Sequence, residues 1–215
     1  MRLLINTVMT PFSIAVMTKA GDLYSDVLPE GSVSEMMIEK THALCDQNSC
    51  DLNTIEEIIY INGPGPYTAL RIGACMVKTI AQLYSSEIVS ISSLKALVPL
   101  SMPKNELIIS MMPARKQEVN LQLFSIQNTG IQEISECVVL HAGALKSFLS
   151  RFEEPIHVVF PDALSTYAQI DAPSIHYHSV VFDSKAFLNA YPSYNQAPQS
   201  WRHVSVCYSP LPVVS

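Results

Sequence analysis

The run Ile58-Ile59-Tyr60-Ile61 ends in Asn62-Gly63-Pro64-Gly65-Pro66-Tyr67-Thr68, and a long apolar segment from Ala69 to Tyr84 follows. These types in this order predict a strand, a tight turn and the first turn of a helix. Glycine opens backbone conformations closed to other residues, proline stiffens the loop, and Thr68 stands where a side chain can cap the helix. Unpaired N–H groups and the positive end of a helix dipole meet at such a junction, which suits a phosphate or a carboxylate. Gly63, Gly65, Thr68 and Arg71 are therefore candidates for holding an anion or a nucleotide. A sharp corner that binds nothing fits the same residues. Arg71 falls in the first helical turn, where a cation opposes the dipole, so either a ligand or a compensating carboxylate should meet it. Neither Gly-x-x-x-x-Gly-Lys-Ser/Thr nor Gly-x-Gly-x-x-Gly is present.

Other chemistry has thinner support. His176 and His178 are two apart and would face one way on a strand, but no third ligand is spaced with them, so no metal site is assigned. His42 stands alone as a surface or interface residue, without His-Glu-x-x-His, and Gly-x-Ser-x-Gly is absent. No residue is assigned a catalytic role.

The elements that must carry these residues read as follows. Strands are expected at Leu3 to Ile5, Ile14 to Met17 and Leu23 to Leu28, then a helix at Ser34 to Gln47, a strand at Ile58 to Ile61, a helix at Thr68 to Tyr84 and a strand at Val89 to Ile91. The strand-helix-strand unit implies parallel pairing through a right-handed crossover. Leu107 to Met112 and Val119 to Ile126 begin a second half, with helices around Ala142 to Phe152, Leu164 to Ile170 and Lys185 to Tyr191, and a strand at Ile156 to Phe160. The proline-containing tail after Tyr191 reads as an extended segment laid over the body.

The 215 residues carry a net charge of −6, with 15% charged and 48% hydrophobic residues. That balance argues against a self-sufficient nucleic-acid binder and for a partly covered surface. Five cysteines without a Cys-x-x-Cys pair suggest reduced thiols. No signal peptide or membrane span is read, and the expected location is cytoplasmic. The second helix is apolar nearly all round, so it is either buried in the chain's own core or covered by a partner on its free side. Met36-Met37-Ile38 in the first helix fit an adaptable contact surface.

Gly63-Pro64-Gly65-Pro66-Tyr67-Thr68-Ala69-Leu70-Arg71-Ile72-Gly73 resembles the Gly-Pro-Gly-Ser-Phe-Thr-Gly-Leu-Arg-Ile-Gly signature of the bacterial TsaB (YeaZ) family. Leu3-Leu4-Ile5-Asn6-Thr7, Ile88-Val89-Ser90-Ile91-Ser92-Ser93-Leu94 and Met112-Pro113-Ala114-Arg115-Lys116-Gln117-Glu118-Val119 are similar to further family segments in order and spacing. The resemblance implies an α/β actin/sugar-kinase/Hsp70-like (ASKHA, ribonuclease H-like) fold of two similar halves with mixed sheets, here 1–103 and 104–215.

It also implies an accessory, non-catalytic subunit in making threonylcarbamoyladenosine on tRNA. The partners would be a catalytic TsaD-like subunit, a TsaE-like ATPase, a second copy when alone, and tRNA only through the complex. Met36, Met37, Thr41 and Leu44 of the first helix and Cys75, Met76, Ile80 and Leu83 of the second would form the partner interface. No cofactor is implied beyond an anion or nucleotide at the Gly63 loop. Older descriptions place this family near the metallopeptidases.

The chain departs from the family at Asn6 for Asp, Pro66 for Ser, Ala69 for Gly and Pro113 for Asp. A neutral Asn6 cannot hold a metal's water shell, which counts against phosphoryl transfer by this chain alone. The alternatives are an independent ATP-dependent kinase or carbamoyltransferase of the superfamily, or a self-associating protein outside the tRNA pathway.

Overall fold

The computed structural model describes residues 1–29, 31, 33–167, 174–194 and 196–209. The first half contains β1 (Arg2–Asn6), β2 (Ser13–Met17), β3 (Leu23–Val27), α1 (Val33–Gln47), β4 (Glu57–Ile61), α2 (Tyr67–Tyr84), β5 (Glu87–Ile91) and α3 (Ser93–Ala96). The second contains β6 (Leu107–Pro113), β7 (Glu118–Gln127), β8 (Gly130–Glu133), β9 (Val138–His141), α4 (Leu145–Leu149), β10 (Ile156–Phe160), β11 (Ile175–Ser179) and α5 (Ser184–Ala190).

One sheet has the order β3-β2-β1-β4-β5, the other β11-β10-β6-β7-β8 with β9 also on β7. β1 pairs antiparallel with β2 and parallel with β4, and β4 pairs parallel with β5 across the α2 crossover. The two mixed sheets give the expected two-lobed α/β architecture.

Alternation along the strands assigns side chains to layers. Leu4, Ile59, Ile61, Val89 and Ile91 point inward, into a core shared with Ile108, Met112, Phe124 and Val159 of the second sheet. Their neighbours Leu3, Ile5, Ile58, Tyr60 and Ile88 point outward, beneath α1 and α2. Such two-sided burial requires the continuous apolar runs seen in β1 and β4, because both faces of a covered strand leave water.

The sheets separate between Ile91 and Leu107, bracketing the expected boundary near Pro103, but the covering elements cross it. α3 packs on β6 and β7, whereas α5 returns to β1, β2 and β3 of the first sheet. Beyond it, Tyr191 donates to Glu57 at 3.1 Å and lies under the Arg2 guanidinium.

Three expectations need correction. The helix expected over Ala142 to Phe152 is a 3-10 turn at Ala142–Ala144 followed by the short α4, then 3-10-type bonds Arg151→Phe148 and Phe152→Leu149. Glu153 and Glu154 beyond that end oppose the helix dipole, and Pro155 cannot extend it. The helix expected near Leu164 is a 3-10 segment, Asp162–Tyr167, and positions 168–170 lie outside the described residues. Thr68 is not a cap: α2 starts at Tyr67, with Pro66 at the N-cap position and no side-chain capping bond.

Candidate functional site

The glycine corner is built by close packing. Gly63 has φ +106°, and the Gly63–Pro64 bond is cis. A Cβ at Gly65 would collide with the Val8 side chain, and one at Gly73 would lie 2.6 Å from Thr7 Oγ1 and 2.9 Å from the Tyr60 ring. These glycines let α2 approach β1 and β4 more closely than any side chain would permit.

Hydrogen bonds then fix the approach. The Tyr60 hydroxyl donates to Leu70 O at 2.7 Å and Thr7 Oγ1 to Ala69 O at 2.8 Å. Burial first, then the neighbouring Tyr208, pushes the Tyr60 phenol well above its ordinary pKa, so it stays a donor at physiological pH. Ser93 satisfies the turn from the far side, its N–H bonding to Gly63 O at 2.8 Å and its hydroxyl to Pro64 O at 2.6 Å.

Arg71 meets neither a carboxylate nor an internal salt bridge among the described residues. It is exposed, with its guanidinium 5.4 Å from the Tyr67 ring centroid and Nη1 3.4 Å from the Tyr67 hydroxyl. The neighbour it meets among the described residues is the Tyr67 aromatic ring.

Asn6 is fully buried, and its amide is spent on its own turn. Nδ2 donates to Met9 O at 2.7 Å and Pro11 O at 3.1 Å, while Oδ1 accepts from the Val8 and Met9 amides. An aspartate could not make the two donor bonds, so this residue acts as a turn brace.

The second feature is an apolar groove of about 350 Å3 between α1 and α2. Its floor is Met37, Thr41, Met76 and Ile80, all buried in the chain's own packing, as is Leu44 beside them. Its rim is open: Ile38 is 60% exposed, Leu83 is 70% exposed, and Cys75, Thr79 and His42 face solvent, with Met36 half-buried nearby. α2 thus buries Leu70, Gly73, Met76, Val77, Ile80 and Ala81 and leaves a second apolar edge that no described residue covers.

A third cluster was only half legible. His176 and His178 share a face of β11, as their spacing requires, and the residue completing the group is His157 on the adjacent β10. His157 Nε2 is 2.6 Å from Glu106 Oε2, its Nδ1 is 2.9 Å from His178 Nε2, and its ring stacks on His176 at 5.1 Å. With the carboxylate accepting from Nε2, a neutral His157 leaves Nδ1 as acceptor for a proton on His178 Nε2. Nitrogens in direct hydrogen bond leave no room for an ion between them, and no cluster among the described residues is arranged to hold a metal. The signals missed in sequence were long-range: His157, Glu106 and Ser93 are ordinary residues until the sheets bring them in.

Comparison with known proteins agrees with the architecture. A family model described as TsaD, tRNA N6-adenosine threonylcarbamoyltransferase, matches residues 30–164, well over half of the chain. The tRNA threonylcarbamoyladenosine biosynthesis protein TsaB of Bacillus subtilis (strain 168) is 30% identical over 89 residues, 40% of this chain and 39% of that protein. The chain therefore spans about two fifths of the length of the curated relative it matches.

Two solved structures from Pseudomonas aeruginosa share the fold. One is a protein with similarity to peptidase YEAZ, at TM-score 0.74 and 17% identity; the other is YeaZ, at 0.73 and 16%. Each comparison covers 96% of this chain and 98% of the other. The chain belongs to the family that the TsaD model describes, as a divergent member of its TsaB (YeaZ) type.

Proposed function

We propose that this protein is an accessory, non-catalytic subunit in the biosynthesis of threonylcarbamoyladenosine on tRNA, and that it docks a TsaD-like catalytic subunit on the α1/α2 face. The observation that carries the reading is the groove between these helices, with its buried apolar floor and exposed Ile38 and Leu83 rim. A helix pair offering a shallow apolar furrow suits another helix pair, whose side chains can interlock with the rim. The Asn6 turn supports a non-catalytic part, since its buried amide is committed to backbone groups where phosphoryl transfer would need a carboxylate. With a net charge of −6, tRNA contact would come through the assembled complex, which a TsaE-like ATPase would join.

The test is a titration of the TsaD-like protein of the same organism with the parent chain and with Leu83→Glu and Ile38→Glu. Each exposed side chain would bury on docking and is worth about 1.5–3 kcal/mol, so each charge should weaken binding by roughly tenfold to a hundredfold. Parent-like affinity in both variants would exclude this face.

A further inference from the structure

The segment from Val204 to Ser209 passes the carboxyl end of β4 and reaches the cleft between the lobes. Upstream, Gln199 and Ile88 exchange two backbone hydrogen bonds of 2.7 and 3.1 Å, which bring the tail to the edge of the first sheet. Val204 is buried, and Val206 packs against both the shared core and the outer core. The Cys207 amide donates to Asn62 O at 2.7 Å, and Asn62 Nδ2 donates to Ser205 O at 3.4 Å. Tyr208 then stacks on Tyr67 at 5.3 Å between ring centroids.

Three observations say that the corner and the tail are built for each other. A Cβ at Gly63 would collide with the carbonyl of Cys207, so the glycine makes room for the tail backbone itself. Tyr67, the first residue of α2, gives one face of its ring to Tyr208 and also lies within reach of the Arg71 guanidinium. Tyr208 and Ser209 form part of the wall of a cleft of about 670 Å3 whose other walls are Met9 and Gly65 of the first lobe and Met112, Arg115 and Pro161 of the second. The tail also reaches the second lobe. Burial, and next Cys207, pushes the Cys137 thiol there up to about 12.

We propose that Val204–Ser209 is an intramolecular strap that occupies the glycine corner and walls one side of the inter-lobe cleft, so that its release widens the cleft. Its occupant is this chain's own backbone, held by the Cys207–Asn62 hydrogen bond and the Tyr208–Tyr67 stack. Unseating Cys207 and Tyr208 uncovers the amino end of α2 and the apolar walls behind it. The strap meets α2 at its amino end through Tyr67, whereas Leu83 of the docking rim stands at the carboxyl end of the same helix, so the two can fail separately.

Hydrogen–deuterium exchange on the full chain tests this, comparing the parent with Cys207→Pro and Tyr208→Ala. Proline removes the donated N–H and suits extended backbone, while Tyr208 is half exposed and its loss leaves the core intact. Exchange across Asn62 to Leu70 should quicken at least tenfold in Cys207→Pro and several-fold in Tyr208→Ala. Fluorescence of added anilinonaphthalene sulfonate should rise with it as the cleft walls open. Exchange over those residues within twofold of the parent in both variants, or unchanged dye fluorescence, would overturn the strap.

Discussion

Asn6 is a neutral side chain committed to its own turn. Its amide donates to two carbonyls and accepts from two amides without exposure to solvent. Asn6→Asp would retain the accepting oxygen but turn a second one toward Met9 O and Pro11 O, forcing either a buried repulsion or a buried proton. A loss of about 3 kcal/mol in urea unfolding is expected, with no gain of ATP hydrolysis.

At His178, burial, then His157 and His176, lowers the imidazole pKa. A folded-state pKa below the unfolded value of about 6.5 means the unfolded chain binds more protons as pH falls through that region. The stability this group contributes is complete above about pH 6.5 and is lost as pH falls toward the lower folded-state pKa. Glu106, His157 and His176 are the titratable groups around it. His178→Asn should flatten the fall in melting temperature between pH 7.5 and pH 5, measured by calorimetry; an unchanged slope would remove this group from the pH response.

At the scale of elements, the sequence was legible where local pattern and burial agree. β1, β4, α2 and β5 appear within a residue or two of expectation because each is a continuous apolar run bounded by glycine, proline or polar turn residues. β8 and β9 were missed because Gly130–Glu133 and Val138–His141 are four-residue strands stabilised by pairing with β7, a partner no local window reveals.

The site followed the same division. The Gly63 turn and the apolar edge of α2 could be read directly, but Thr68 as a cap and Arg71 as half of an ion pair could not survive Pro66 and Tyr67 taking those positions. Gly73→Ala tests why α2 sits so close to the sheet. Alanine gains about 1 kcal/mol in helix propensity, yet its methyl must displace Thr7 and a Tyr60 ring held by its bond to Leu70 O. A net loss of about 1–2 kcal/mol is expected in urea unfolding, and net stabilisation would show that the contact yields easily.

For the molecule as a whole, the lobes are joined by more than the chain connection. Lys95 of α3 is buried in the first half and reaches Glu133 of β8 at 3.3 Å, and Gln122 donates to the same carboxylate at 3.1 Å. Because Glu133 is partly exposed, Glu133→Ala should cost about 1–2 kcal/mol, less than a fully buried pair, by leaving a buried ammonium without its counter-charge. Equilibrium unfolding followed by tryptophan fluorescence reads this directly, since Trp201 lies on the first-lobe side, packed against the outer core. Such cross-lobe ties, with α5 and the tail returning to the first sheet, were invisible to a sequence division at Pro103. They make a body able to hold its α1/α2 face rigid.

The central claim is tested most directly by reconstituting threonylcarbamoyladenosine formation on tRNA from the organism's TsaD-like and TsaE-like proteins, ATP and a supplied activated threonylcarbamoyl donor, with and without this chain. Modification should require the parent chain, fail with Leu83→Glu at matched concentration, and be absent when this chain is supplied alone. Full modification without it, or turnover by the isolated chain, would contradict its assignment as an accessory subunit.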